Sequence, residues 1–117
     1  MEPRKKLGQA GENLAKKYLQ KKGLKVLASN LRFPFGEIDI LAQDGDYLVV
    51  VEVKTKSNLD FGAPYEMVNF KKRRKLFNLA RALSARFPGQ DIRVDVVSIE
   101  TNNTPAKIEH FQNILEA

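Results

Sequence analysis

Leu7, Ala10, Gly11, Leu14, Ala15 and Tyr18 recur at helical spacing and predict an amphipathic helix from about residue 7 to 22. Gly23 stands where a left-handed C-terminal cap is expected. Leu24, Val26, Leu27 and Leu31 then alternate enough to predict a first strand over 24–31. Two more strands, near 36–43 and 47–56, flank a turn signal at Asp44-Gly45-Asp46. Ser57 to Pro64 is polar and interrupted by Gly62 and Pro64, which predicts a loop. A second helix starts at residue 66 or 70 and runs to 86, with Leu76, Leu79, Ala80, Leu83 and Phe87 as its apolar line. Pro88-Gly89 ends it. Ile92 to Ile99 is apolar apart from Arg93, Asp95 and Ser98, the pattern of a central strand. Thr101 to Pro105 reads as a turn, and Ile108 to Leu115 as a last short strand.

A long helix between strands implies that Ile92–Ile99 returns parallel to a neighbour. The expectation is an α/β fold, a central mixed sheet of about five strands flanked by helices. Residues 1–117 contain no repeat or linker and are read as a single domain.

An apolar content of 43% with 29% charged residues is that of an ordinary globular protein. The chain has no cysteine, which excludes disulfides, thiolate metal sites and cysteine nucleophiles. Its start, Met1-Glu2-Pro3-Arg4-Lys5-Lys6, is charged rather than an apolar leader. No stretch approaches the roughly 18 apolar residues of a membrane span. A soluble, cytoplasmic protein that does not engage membranes is expected. The net charge of +6 and pI near 9.7 point to an anionic partner. Nucleic acid is the commonest such partner, although a surplus of this size also occurs on proteins that bind none.

The predicted hairpin carries Glu37 and Asp39 on one strand and Glu52 with Lys54 on the next. Alternation places Glu52 and Lys54 on one face and Val51 and Val53 on the other. A two-residue loop at Asp44-Gly45, or a four-residue loop from Gln43 to Asp46, sets position 37 opposite 52 and 39 opposite 50. Glu37, Asp39, Glu52 and Lys54 then share a face, with Asp39 diagonal to Glu52. A three-residue loop would move Asp39 to the other face, so a site requires an even loop or a compensating bulge. Like charges close together in a sheet are destabilising, and an oxygen-preferring cation such as Mg²⁺ gives them a reason. Lys54 would orient water or stabilise charge on a phosphate. A solvated sheet face with a lysine ion pair explains the same spacing, and the residues by themselves leave both readings open.

Gly36-Glu37-Ile38-Asp39 followed by Val51-Glu52-Val53-Lys54-Thr55-Lys56 resembles the signature of the YraN family of small bacterial proteins. That family is similar to archaeal Holliday-junction resolvases, within the PD-(D/E)XK nuclease superfamily and its restriction-endonuclease-like fold. Gly11-Glu12, Ala15 and Tyr18-Leu19, then Asn30 with Arg32, match the family's first helix and strand. Phe61-Gly62, Pro64 and Lys72, then Val94-Asp95-Val96-Val97, carry the match onward to Ile108, His110 and Asn113. The resemblance implies Asp39 and Glu52 as ligands of Mg²⁺ or Mn²⁺, Lys54 as catalytic lysine and Glu12 as a helix acid completing the site. Ile38 stands where the superfamily motif has proline, and Asn69-Phe70 where a Thr-Pro is expected before the second helix.

Other charged residues carry two readings each. Glu12 either aims at the sheet or forms a helical ion pair with Lys16 four residues on. Lys71-Lys72-Arg73-Arg74-Lys75 opens the second helix, where cations oppose the helix dipole. Lys72 falls on the apolar line and points to the sheet, whereas Lys71, Arg74 and Lys75 face solvent and suit a DNA backbone. A merely solvated face is the alternative. Arg32 is either a phosphate contact or a partner of the acidic face, and Lys56 joins the cations assigned to nucleic acid. Arg4, Lys5, Lys16, Lys17, Lys21, Lys22 and Lys25 make the first helix and its flanks basic, which solvation explains and a nucleic-acid track also fits. His110, the sole histidine, is expected in a surface or half-buried tail. Asp95 is expected to pair with a helix residue, with a part in the site as the alternative.

The functional expectation is a metal-dependent endonuclease that hydrolyses DNA phosphodiester bonds, with branched DNA a candidate substrate. A non-catalytic nucleic-acid-binding protein with the nuclease fold is the alternative, and an interaction protein with an incidental acidic face the third. The similarity to resolvases makes a homodimer worth testing, since branched-DNA cutters need two sites.

Overall fold

The computed structural model describes residues 3–56, 70–102 and 104–115. The predicted loop from Ser57 to Pro64 lies outside them. The elements in order are α1 (Pro3–Lys21), β1 (Lys25–Phe33), β2 (Gly36–Asp44), β3 (Tyr47–Lys56), α2 (Phe70–Arg86), β4 (Asp91–Glu100) and β5 (Lys107–Phe111). The five strands form one mixed sheet in sequence order, as expected for this α/β fold. β1, β2 and β3 are an antiparallel meander, β4 runs parallel to β3 after α2, and β5 returns antiparallel.

α1 ends in a Schellman motif: Leu24 N–H donates to Leu19 carbonyl and Gly23 N–H to Gln20 carbonyl. Gly23 takes the left-handed conformation this requires, with φ 96°. The helices pack on opposite faces, because successive residues of β3 point opposite ways. On one face Ala15, Leu19 and Leu24 meet Ile40, Ala42, Val49, Val51, Val97 and Ile99. On the other Leu76, Leu79 and Leu83 of α2 meet Ile38, Leu41, Leu48, Val50 and Val94. β4 is central and almost wholly buried, which explains its near-continuous apolar run.

Three expectations need correction. α1 begins at Pro3 rather than about residue 7. The last strand stops at Phe111 rather than Leu115. Asn113 turns into a left-handed conformation (φ 57°), and Ile114 N–H folds back to the Val94 carbonyl. The hairpin loop is Gly45-Asp46, closed by the pair Asp44–Tyr47. Its length is even, as a site requires, but the register slides by two residues from one centred on Asp44-Gly45. That slide moves position 39 from a diagonal of Glu52 to a place level with it.

Candidate active site at a fork in the sheet

Pairing between β2 and β3 stops at Ile40–Val51. Below that point β2 stays with β1 as far as Phe33–Gly36, and β3 stays with β4 as far as Lys56–Glu100. The sheet therefore forks, and Asp39 is the first residue of β2 inside the fork. Its carboxylate replaces the missing ladder acceptor, with Val53 N–H donating to Asp39 Oδ2 at 2.9 Å. Strand alternation also breaks here: Ile38 packs in the α2 cluster and Ile40, two residues on, in the α1 cluster. The sequence offered an even loop and an irregular strand as alternatives, and the structure has both.

Glu52, on β3, is only 7% exposed. Its Oε1 accepts from Lys72 Nζ at 2.8 Å and from Lys54 Nζ at 3.4 Å. Lys72 is on the first turns of α2 and Lys54 two residues along β3, so the acid takes one cation from a helix and one from its own strand. Glu12 comes from α1 on the other face. Asn30 Nδ2 donates to Glu12 Oε1 at 2.8 Å, and Lys16 Nζ lies 3.8 Å from the same oxygen. The helical ion pair and the approach to the sheet therefore coexist. Asn30 adopts φ 54° in the middle of β1, a conformation that asparagine tolerates better than most residues.

Gly11 explains how α1 comes close enough. A Cβ at this position would collide with the Thr55 side chain of β3. Only glycine lets the helix lie on the strand there, one residue before Glu12.

Burial raises the Asp39 carboxyl from its ordinary 3.8 to about 6, and negative Glu52 adds to the rise. The Val53 hydrogen bond opposes it, Glu12 adds to it and Lys72 opposes it. Asp39 thus senses an acid from α1, an acid from β3 and a cation from α2. Glu12, Asp39, Glu52 and Lys72 form one electrostatic unit although they come from four elements. Among the described residues no three carboxylate or imidazole groups converge into a ready-made metal cage. Glu52 is the carboxylate that acts most strongly on Asp39, with Glu12 a weaker influence.

A family model described as uncharacterised protein family UPF0102 matches residues 11–99. The chain belongs to UPF0102. It is 41% identical to a UPF0102 protein of Carboxydothermus hydrogenoformans over 97% of this chain and 98% of that one. It is 44% identical to one from Thermodesulfovibrio yellowstonii, over 92% and 93% of the two chains. A third, from Flavobacterium psychrophilum, is 40% identical over 92% and 91%. The span matched by the UPF0102 model begins at the close-packed Gly11 and includes Glu12, Asp39, Glu52, Lys54 and Lys72.

Some sequence assignments fall elsewhere in this UPF0102 chain. Glu37 does not join the acidic face. It pairs with Arg32 in solvent at 3.0 Å, with the two side chains 62% and 84% exposed. Arg74 and Lys75 are exposed on α2 and Lys56 is half-buried at the end of β3, whereas the side chain of Lys71 lies outside the described residues. Among the described residues Asp95 does not pair with a helix residue. Its carboxylate receives Arg93 Nε at 3.0 Å and Arg93 Nη2 at 2.9 Å, both from its own strand. His110 Nε2 of β5 lies 2.8 Å away and the Asn113 amide donates at 2.9 Å. Arg93 continues to Asp44 at 2.9 Å, tying the hairpin turn to β4. Although burial works against ionisation, the bonds from His110, Arg93 and Asn113 hold Asp95 below its ordinary value. His110 is half-buried as a residue, but its imidazole is fully enclosed. This network escaped sequence reading because only the β4–β5 pairing, Val97 opposite His110, brings its members together.

Proposed function

We propose that this UPF0102 chain is a metal-dependent endonuclease that hydrolyses DNA phosphodiester bonds, with branched DNA as the first substrate to test. The observation that carries the reading is the fork, which sets Asp39 level with Glu52, itself paired with Lys54 and Lys72. The donor chemistry fits a hard divalent cation: the groups are carboxylates, and Asp39 is destabilised as an anion by burial and by neighbouring acids. Asp39 and Glu52 would hold Mg²⁺ or Mn²⁺. Such an ion, when bound, supplies water activation and neutralisation of phosphate charge. Lys54 offers a half-buried ammonium beside Glu52 to stabilise charge on the scissile phosphate. Lys72 holds Glu52 in its rotamer and brings a second ammonium from the opposite layer. Glu12, fixed by Asn30, offers a carboxylate that accepts a hydrogen bond from the attacking water. Lys56, Arg74 and Lys75 add phosphate contacts that position the duplex without reading its sequence. A cytoplasmic location and a homodimer with two such sites belong to the same reading.

The rival reading is a nucleic-acid-binding protein that keeps this fold without turnover. It draws on the lack of a third converging ligand among the described residues. Cleavage assays on branched, single-stranded and duplex DNA with Mg²⁺ or Mn²⁺ separate the two. Glu52→Ala and Lys54→Ala are expected to abolish cutting and leave salt-dependent binding largely intact. Wild-type binding without cutting in either metal selects the rival, and cutting that survives both substitutions shows the residues to be misassigned.

A further inference from the structure

The tip between β1 and β2 displays an aromatic pair that the fold does not bury. Phe33 and Phe35 stack nearly parallel, with ring centroids 4.8 Å apart and an angle of 9° between planes. Phe33 packs against the α2 core cluster, whereas Phe35 is 37% exposed. With one face of Phe35 covered by Phe33, the exposure falls on the remainder of the ring. The tip also packs closely on α2. Gly36 (φ 142°) lies so close to Leu79 that a Cβ there would sit 3.1 Å from its side chain, and Arg32 clasps Glu37 across the pair of strands. A cation flanks the pair, with the Arg86 guanidinium 5.2 Å from the Phe33 centroid, while Arg32 shares its charge with Glu37.

We propose that Phe35, backed by Phe33 and Arg86, is a stacking platform for an unpaired nucleobase. A flat aromatic surface beside an arginine offers a base a π-face and its phosphates a positive field, which is how single-stranded nucleic acid is held without sequence readout. A second copy of this chain is a poorer occupant, because a two-fold contact through the tip would bring Arg86 near its own counterpart. Phe35 lies four residues before Asp39, roughly 13 Å along an extended strand. The platform therefore directs the fork towards DNA with unpaired bases next to the bond that is cut. This substrate assignment rests on the nuclease reading, but the platform itself is measurable without cleavage.

The test uses oligonucleotides with 2-aminopurine at an unpaired position of a flap or junction, or at a paired position of a duplex, in EDTA. Stacking on Phe35 quenches the unpaired probe, and wild type is expected to bind it more tightly than the duplex. Phe35→Ala is expected to weaken binding of the unpaired probe about tenfold, towards the low end of one base–aromatic stack, and to leave duplex affinity unchanged. Phe35→Trp should retain quenching and affinity. Unchanged affinity and quenching in Phe35→Ala overturn the platform. So does a change of sedimentation with unchanged binding, which marks the tip as a contact between copies. Wild-type cleavage together with unaltered Phe35→Ala binding removes the platform and spares the nuclease reading. Quenching that depends on Phe35 in a protein that cuts nothing does the reverse.

Discussion

Asp39 holds two conflicting duties, because the carboxylate that caps Val53 N–H inside the fork is also destabilised as an anion by its surroundings. The sign of the consequence follows from linkage. Below 3.8 both folded and unfolded chains carry the proton, and between 3.8 and about 6 only the folded chain keeps it. Stability attributable to this group therefore falls as pH rises through that window, and the penalty is complete above about 6. Asp39→Asn keeps an acceptor for Val53 and removes the charge. It should be more stable than wild type at pH 7.5, with the difference shrinking towards pH 4, as read by urea unfolding at both values. An equal difference at both pH values would contradict the assignment. On the proposed function, Mn²⁺ should raise the melting temperature of wild type at pH 7.5, much less at pH 5, and not at all in Asp39→Asn. Calorimetric titration of the same two proteins checks the binding directly. These residues were legible as chemistry from their types and spacing. Their arrangement was not, because the turn slid by two residues and the strand alternation broke at Asp39 itself.

At the scale of elements, α1 and β5 show what holds the layers in place. Glycine inside a helix is ordinarily less stable than alanine by about 1 kcal/mol. At Gly11 the sign should reverse, since an added methyl meets Thr55 and forces α1 away from β3. Gly11→Ala is expected to destabilise by about 1–3 kcal/mol in chemical denaturation, the range for overpacking. Adding Thr55→Ala should recover part of that loss, and strictly additive effects would exclude the contact as the cause. Asp95 works in the opposite electrostatic sense to Asp39. Its folded value is depressed, so its stabilising contribution is present above the ordinary value of 3.8 and is lost as pH falls through the lower, folded one. Asp95→Ala leaves Arg93 and His110 without their common acceptor in a buried place. A loss of about 3–5 kcal/mol is expected from denaturant melts, with β5 amides losing hydrogen-exchange protection. The order and type of the elements were predicted, and most of their ends, because periodicity and the stops at Gly23 and Pro88-Gly89 are local signals; the start of α1 at Pro3 was not. The early end of β5 was not, since Ile114 bonds back to a strand twenty residues earlier.

Over the whole molecule, the basic surplus and the acidic fork oppose one another. On the proposed function, a net charge of +6 would attract a polyanion, while the carboxylates at the fork would repel phosphate unless a cation intervened. If Arg74 and Lys75 touch DNA phosphates, replacing both with alanine should flatten the log–log salt dependence of binding by roughly two counterions and leave the cutting position unchanged. An unaltered slope would place the DNA elsewhere. No helix among the described residues is long and apolar enough to cross a membrane. The sequence by itself determined the α/β class, the succession of elements and the residue types able to bind a hard cation. These depend on side-chain period, turn chemistry and charge, which neighbouring residues decide. Tertiary structure alone decided that β2 leaves β3 at Asp39, that Gly11 admits α1, that Lys72 reaches Glu52, and that Asp95 pairs with Arg93 and His110. Those contacts depend on register and layer packing between segments far apart in the chain, where a shift of one residue exchanges one face for the other.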